Sequence, residues 1–162
     1  MFIRPYQTGD FDRLYDINYL STPGVSDETR EAFEGIVGLS ICIVIGQETM
    51  PDGFINLIEP GTMAYKSPNL RWFEAWQAEQ GGKLLYVDRI AFHPDARGQG
   101  LGRELYAYVT EYISGDYALG AEVNTLPNNP GSHRFHQSLG FEKVGEQAFS
   151  PEKAVAYYLR RP

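Results

Sequence analysis

The sequence predicts one α/β domain, a mixed sheet of about six or seven strands with helices on both faces. Three observations carry that reading. Short apolar runs such as SICIVIG, DGFINLIE and KLLYVDRIAF have the length and β-branched content of strands. Segments with apolar residues three and four apart, above all Leu101 to Ile113, have the period of amphipathic helices. In the second half the two kinds alternate, which is how helices come to cover a sheet. The 162 residues suffice for one core, and no repeat, low-complexity segment or linker divides residues 1–162.

The elements follow in order. MFIRPY reads as a short strand, and Asp10 is placed to cap a helix carrying Phe11, Leu14, Tyr15 and Ile17. STPG breaks that helix; SDETREAFEGI reads as a second one, with Ser26 as its cap. SICIVIGQE and DGFINLIE form a hairpin around ETMPDG. Residues 60–82 read as irregular and aromatic, with a helical piece, NLRWFEAWQAEQGG, ending at Gly81. KLLYVDRIAF is the next strand, followed by the helix from Leu101 and the strand YALGAEVN. In NNPGSHRFHQSLGF, Asn129 is the N-cap, Pro130 the first helical residue and Gly140 the stop, with Phe135 and Leu139 on the buried face. FEKVGEQ and KAVAYYLRR close the chain as strands.

A formal charge of −7 argues against nucleic acid as a partner. No run reaches the roughly 18 apolar residues that span a bilayer, so no membrane partner is expected. The opening MFIRPYQTGDFDRL lacks a secretory pattern and reads as the start of the fold. The single cysteine, Cys42, lies in an apolar run and reads as a buried strand residue, so a reducing cytoplasm is the expected setting. A homodimer stays open.

The stretch YVDRIAFHPDARGQGLGRELYAYV asks for a ligand. A dinucleotide fingerprint fails because its third glycine would fall on Arg103, and a Walker loop fails for want of Gly-Lys-Ser/Thr. As a mere turn it is over-specified, since glycine inside a helix costs about 1 kcal/mol relative to alanine. A phosphate cradle remains. Bare N–H groups at a helix start attract anions, glycine lets a diphosphate approach them, and Arg97 and Arg103 add charge.

RGQGLG after a strand, then NPGSHRFHQSLGF some thirty residues later, resembles the two halves of the acyl-CoA site of the GNAT superfamily of N-acyltransferases. IRPYQTGDFDRL resembles that family's opening strand and helix, so the likeness spans nearly the whole chain. SPNLRWFEAW, YVDRI and AEVN add a likeness to a bacterial subgroup whose acceptor is unassigned. The resemblance implies a mostly antiparallel sheet in which the fourth and fifth strands splay apart. It implies acetyl-CoA as acyl donor, its pantetheine arm against Ile90, Ala91 and Phe92, and its pyrophosphate on Arg97, Gly98, Gln99, Gly100, Leu101, Gly102 and Arg103. Asn129, Ser132 and His136 would line it from the other side. The implied reaction is direct attack of an amine on the thioester, the acceptor being a small molecule, an amino acid or another amine. A non-catalytic acyl-CoA-binding module and a protein or peptide acetyltransferase stay as alternatives.

An amine must lose a proton before it attacks. A lysine-like ammonium is about one part in 2,500 free base at pH 7, an α-amino group about one part in ten. Asp88 and Glu122 sit in apolar strands, where carboxylates are unusual unless paired or functional, and either is a candidate base. By the two-residue period Asp88 shares a face with Tyr86 and Ile90. A salt bridge is the competing role, with Arg89 as partner of Glu122. His136 stands where the family usually has a tyrosine, and serves either as acid for the leaving thiolate or only as a coenzyme contact. His133 and His136 lack further ligands nearby, so no metal is expected, and His93 reads as a loop residue. Tyr65, Trp72 and Asn124 are candidate acceptor contacts, with core packing the competing role for Trp72 and Trp76.

Overall fold

Seven strands join in one sheet in the computed structural model, which describes residues 1–162. They are β1 (Phe2–Pro5), β2 (Ile41–Gly46), β3 (Pro51–Ile58), β4 (Leu84–Phe92), β5 (Ala118–Leu126), β6 (Glu142–Ser150) and β7 (Lys153–Arg160). Their spatial order is β1-β2-β3-β4-β5-β7-β6, and every neighbouring pair is antiparallel except β4 and β5. The helices are α1 (Phe11–Leu20), α2 (Arg30–Leu39), α3 (Pro68–Gln80), α4 (Leu101–Tyr112) and α5 (Pro130–Ser138).

Helices cover both faces, as the two periods require. On one face Leu101, Leu105, Tyr106 and Val109 of α4 pack on Ile43, Ile55, Leu85, Val87, Ala121 and Val123, with Phe135 of α5 at the margin. The opposite face is shared. Leu14 and Ile17 of α1 and Phe33 of α2 cover Val44, Phe54 and Ala91. Leu70 and Phe73 of α3 cover Ile58, Tyr86, Val155 and Tyr157.

The split in the sheet positions everything that follows. β4 and β5 pair only from Leu84 opposite Ala118 to Val87 opposite Ala121. Beyond that rung β4 continues to Phe92 and β5 to Leu126, each bonded on its outer side alone. The register of β3 on β4 slips here, with Asn56 opposite Arg89 but Leu57 opposite Val87, so Asp88 is an inserted residue. Such a bulge bends and twists its strand, which favours parting from a neighbour.

The bulge also corrects the two-residue count. Tyr86 faces α3, whereas Ile90 packs on the α4 side, because Asp88 shifts the alternation by one. Two caps differ from expectation. Thr29, not Ser26, caps α2 by accepting the Ala32 N–H at 3.1 Å, since Ser26 is held by Arg89. Asp10 precedes α1, but its carboxylate takes Arg4 and the Gln7 N–H instead of capping that helix. Asn129, Pro130 and Gly81 hold the positions expected of them.

Candidate active site

The loop from β4 into α4 presents a row of unused donors. The backbone N–H groups of residues 98–103 donate to no acceptor within the protein; the first to do so is Glu104, on the Gly100 carbonyl. Gly98 and Gly100 have φ of +78° and +79°, left-handed values that favour glycine, and a Cβ on either would meet nothing within 4 Å. Backbone of this kind forms a concave nest of amides at the positive end of a helix dipole. Gly102 is a glycine for another reason. A Cβ there would lie 2.7 Å from the Phe135 ring, so this position sets how closely α5 approaches α4. Arg97 braces the loop, its Nε donating to the Phe92 carbonyl at 3.1 Å and its Nη2 to Ser21 Oγ at 3.2 Å. Arg103 reaches Ser138 Oγ at 3.2 Å.

From that loop the open edge of β4 leads into the split. His93 N–H bonds Asp52 O at 2.7 Å, and antiparallel alternation from that pair turns Arg89 and Ala91 toward β3. The peptide groups of Ile90 and Phe92 therefore face the split. Ala91 spends its polar groups on β3 and leaves the expected set of arm contacts.

A cleft of about 540 Å³ fills the split. Its floor is β4, β5 and the start of β7; its roof is the α1–α2 connection around Gly24 and Glu28, α2, and residues 64–69 before and at the start of α3. Asp88 and Glu122, the candidate bases, are the first residues beyond the last shared rung, one on each strand. They differ in what they have left to give. Asp88 accepts Arg89 Nε at 2.6 Å and the Tyr65 hydroxyl, so its charge is matched. Arg89, expected opposite Glu122, is taken up by Asp88, Asn18, Ser26 and Glu28. Glu122 Oε1 accepts the Tyr86 hydroxyl at 2.8 Å and Asn69 Nδ2 at 3.1 Å, but its Oε2 is sealed from solvent and has no partner. Burial pushes the Glu122 carboxyl up from 4.5 to about 8, against the pull of the Tyr86 bond.

His136 lines the α5 side of the cleft with both ring nitrogens engaged. Nδ1 donates to the Ser132 carbonyl at 2.9 Å and Nε2 accepts from the Tyr106 hydroxyl at 2.9 Å. Burial lowers its pKa, so the ring is neutral at pH 7 and has no spare proton for a leaving thiolate. These two bonds brace α5 against α4. His133 ties α5 to β5 and β7 through the Asn124 carbonyl and Tyr158. His93 caps a short turn, accepting the Asp95 N–H.

Of the acceptor candidates, Tyr65 and Asn124 line the cleft and Trp72 does not. Trp72 stacks on Tyr157, ring centroids 4.1 Å apart, and lies where a Cβ on Gly145 would be, so it is core. Ser132 also lines the cleft, whereas Asn129 caps α5 by accepting the Ser132 N–H. Sequence reasoning passed over Tyr86, Asn69 and Lys153. Tyr86 alone had a signal, two residues before Asp88 on the same side of its strand.

The comparisons with known proteins bear on this geometry. A sequence profile of the GNAT acetyltransferase family matches residues 11–141. No curated protein matches the chain in sequence. Among solved structures, the ribosomal-protein-S18-alanine N-acetyltransferase of Escherichia coli superposes with a TM-score of 0.70 at 16% identity, over 99% of this chain and 92% of the other. NAA60 of Arabidopsis thaliana in complex with acetyl-CoA gives 0.72 at 17% identity, over 99% and 97%. Ard1 of Thermoplasma volcanium gives 0.73 at 17%, over 99% and 96%. These likenesses are of fold, while the profile covers most of the sequence: the chain belongs to the GNAT family of acetyltransferases and is an acyltransferase.

Proposed function

We propose that the protein moves an acetyl group from acetyl-CoA to the primary amine of a small molecule, both held at once in the split between β4 and β5. One observation carries the reading: the row of unpartnered amides at residues 98–103 stands at the head of a strand edge that is itself unpaired. Amides at a helix start are suited to a diphosphate, and the peptide groups of Ile90 and Phe92 to an amide-containing arm. Acetyl-CoA would supply the activated acyl group. Ser132 and the Arg97 and Arg103 charges complete that half of the site.

Glu122 serves the other half. An amine entering the cleft reaches Glu122, which keeps one buried oxygen without a protein partner, and a carboxyl raised to about 8 can take a proton from an amine through its ionised fraction near neutral pH. In the overall balance one N–C bond forms, one C–S bond breaks, and a thiol and a proton are released. Asp88, with Tyr65 and Arg89, holds the bulge in place. The roof formed by the α1–α2 connection and residues 64–69 favours a small acceptor over a peptide, which would need an open trough.

Calorimetry with acetyl-CoA, followed by thiol release with a panel of amines and one alanine-starting peptide, tests the reading. We expect uptake by the wild type, about tenfold or greater weakening in Gly100→Val where a side chain would cover the amides, and turnover that collapses in Glu122→Gln. Uptake without transfer to any amine would leave a binding module in its place, and transfer untouched by Glu122→Gln would remove Glu122 as the base. A peptide that outcompetes every small amine would move the acceptor to protein N-termini.

A further inference from the structure

Lys153 is a cation in the cleft without a counter-charge. Its Nζ donates to Asn124 Oδ1 at 2.6 Å and makes no other hydrogen bond, leaving two of its three donors unspent. No carboxylate lies within 4.0 Å of it, whereas Lys83 and Lys143 are each paired with an acid. Lys66, the other lysine on the lining, is exposed at the rim; Lys153 is half-buried. Asn124 holds it rigidly, for the amide's Nδ2 is spent on the Pro23 carbonyl at 2.9 Å and its orientation is thereby fixed.

The placement relative to Glu122 is set by the sheet. Glu122 and Asn124 are two apart on β5 and face the same side, so they stand roughly 7 Å apart along the strand. Val155 is the register partner of Asn124, and Lys153, two residues earlier on β7, reaches back to it from the same face. Glu122 and Lys153 thus line one cavity from neighbouring positions, the carboxyl with one oxygen unpartnered and the ammonium with donors unspent. A ligand carrying an amine and an acid group a few bonds apart would answer both residues with charged hydrogen bonds. Arg89 offers no competing site, because its guanidinium is fully engaged.

Building on the acetyl-transfer reading of the same site, we infer that the acceptor is an amino acid, its carboxylate bound by Lys153 and its amine directed at Glu122. A burial of this kind rewards the complete ligand and penalises one that leaves the lysine unmatched. Lys153 is then a specificity-determining residue, and Asn124 its positioning partner.

Matched pairs test the assignment. Acetyl transfer, read as thiol release, is compared for alanine against ethylamine, phenylalanine against phenethylamine, and alanine against alaninamide. We expect the carboxylated member to be favoured in kcat/KM by about 10- to 100-fold. In Lys153→Met that ratio falls toward unity, the loss appearing in KM for the amino acid while KM for acetyl-CoA holds. In Lys153→Glu the preference turns toward diamines. Transfer to ethylamine or alaninamide as good as to alanine would overturn the inference while leaving the acetyltransferase reading standing. A rise in KM for acetyl-CoA in Lys153→Met would reassign the lysine to the coenzyme. If acetyl-CoA binds and no amine of any kind accepts, both readings fall together.

Discussion

Replacing Glu122 by glutamine removes one titration and little else, since the amide oxygen still accepts from the Tyr86 hydroxyl. In the folded protein the carboxyl is raised to about 8; in the unfolded chain it returns to about 4.5. Below 4.5 both states hold the proton and the carboxyl leaves stability unaffected. Between those values the folded state keeps a proton that the unfolded state has shed, so wild-type stability falls as pH rises, and above 8 the full cost is in place. The slope is about 1.4 kcal/mol per pH unit inside the window. Integrated from pH 5.5 to 7.5, wild type should lose about 2.5 kcal/mol relative to Glu122→Gln, a relative fall in Tm of about 5–10 °C at this chain length. Urea titrations of both proteins at half-unit pH steps, at constant ionic strength, measure the difference directly. Parallel stability curves would show that Glu122 titrates normally, and the argument for it as the base would lose its footing.

Three further outcomes follow from the packing. Gly102→Ala puts a methyl 2.7 Å from Phe135 and should cost about 1–3 kcal/mol in thermal unfolding; trimming the ring in Gly102→Ala/Phe135→Leu should recover part of it, and no recovery would reject the contact as the cause. Arg89→Leu strands the Asp88 charge, whose side chain is only 2% exposed, and should cost about 3–5 kcal/mol, with Asp88→Asn added to it restoring much of the loss. A double variant no more stable than the single would contradict that account. Trp72→Ala should lower stability by about 3–5 kcal/mol with KM for the amine unchanged; a shift in that KM would return Trp72 to the acceptor site.

Much of the site was legible because its signals are local. Gly98 and Gly100 must be glycine for their own backbone angles, and Asn129 caps and Pro130 starts a helix within four residues. Gly102 has the same letter for a reason no local rule contains, because its neighbour Phe135 comes from another helix. The same holds for His136, whose role depends on Tyr106, and for Asp88, whose inserted place shifts the facing of every later residue in β4. Lys153 is invisible in KAVAYYLRR, where nothing marks it as a half-buried lysine without an acid.

What the sequence determined by itself is the set of elements and the amide row, since hydrophobic period, capping residues and left-handed glycines act over a few neighbours. What the tertiary structure decided is which charges remain unmatched. Two carboxylates that look alike along the chain part company only when β4 and β5 split, one closing on Arg89 and the other keeping an oxygen unspent. Asp88 finds its cation next door in the chain, but Glu122 meets only Tyr86 and Asn69, 36 and 53 residues away, and spacing along the chain carries no record of that.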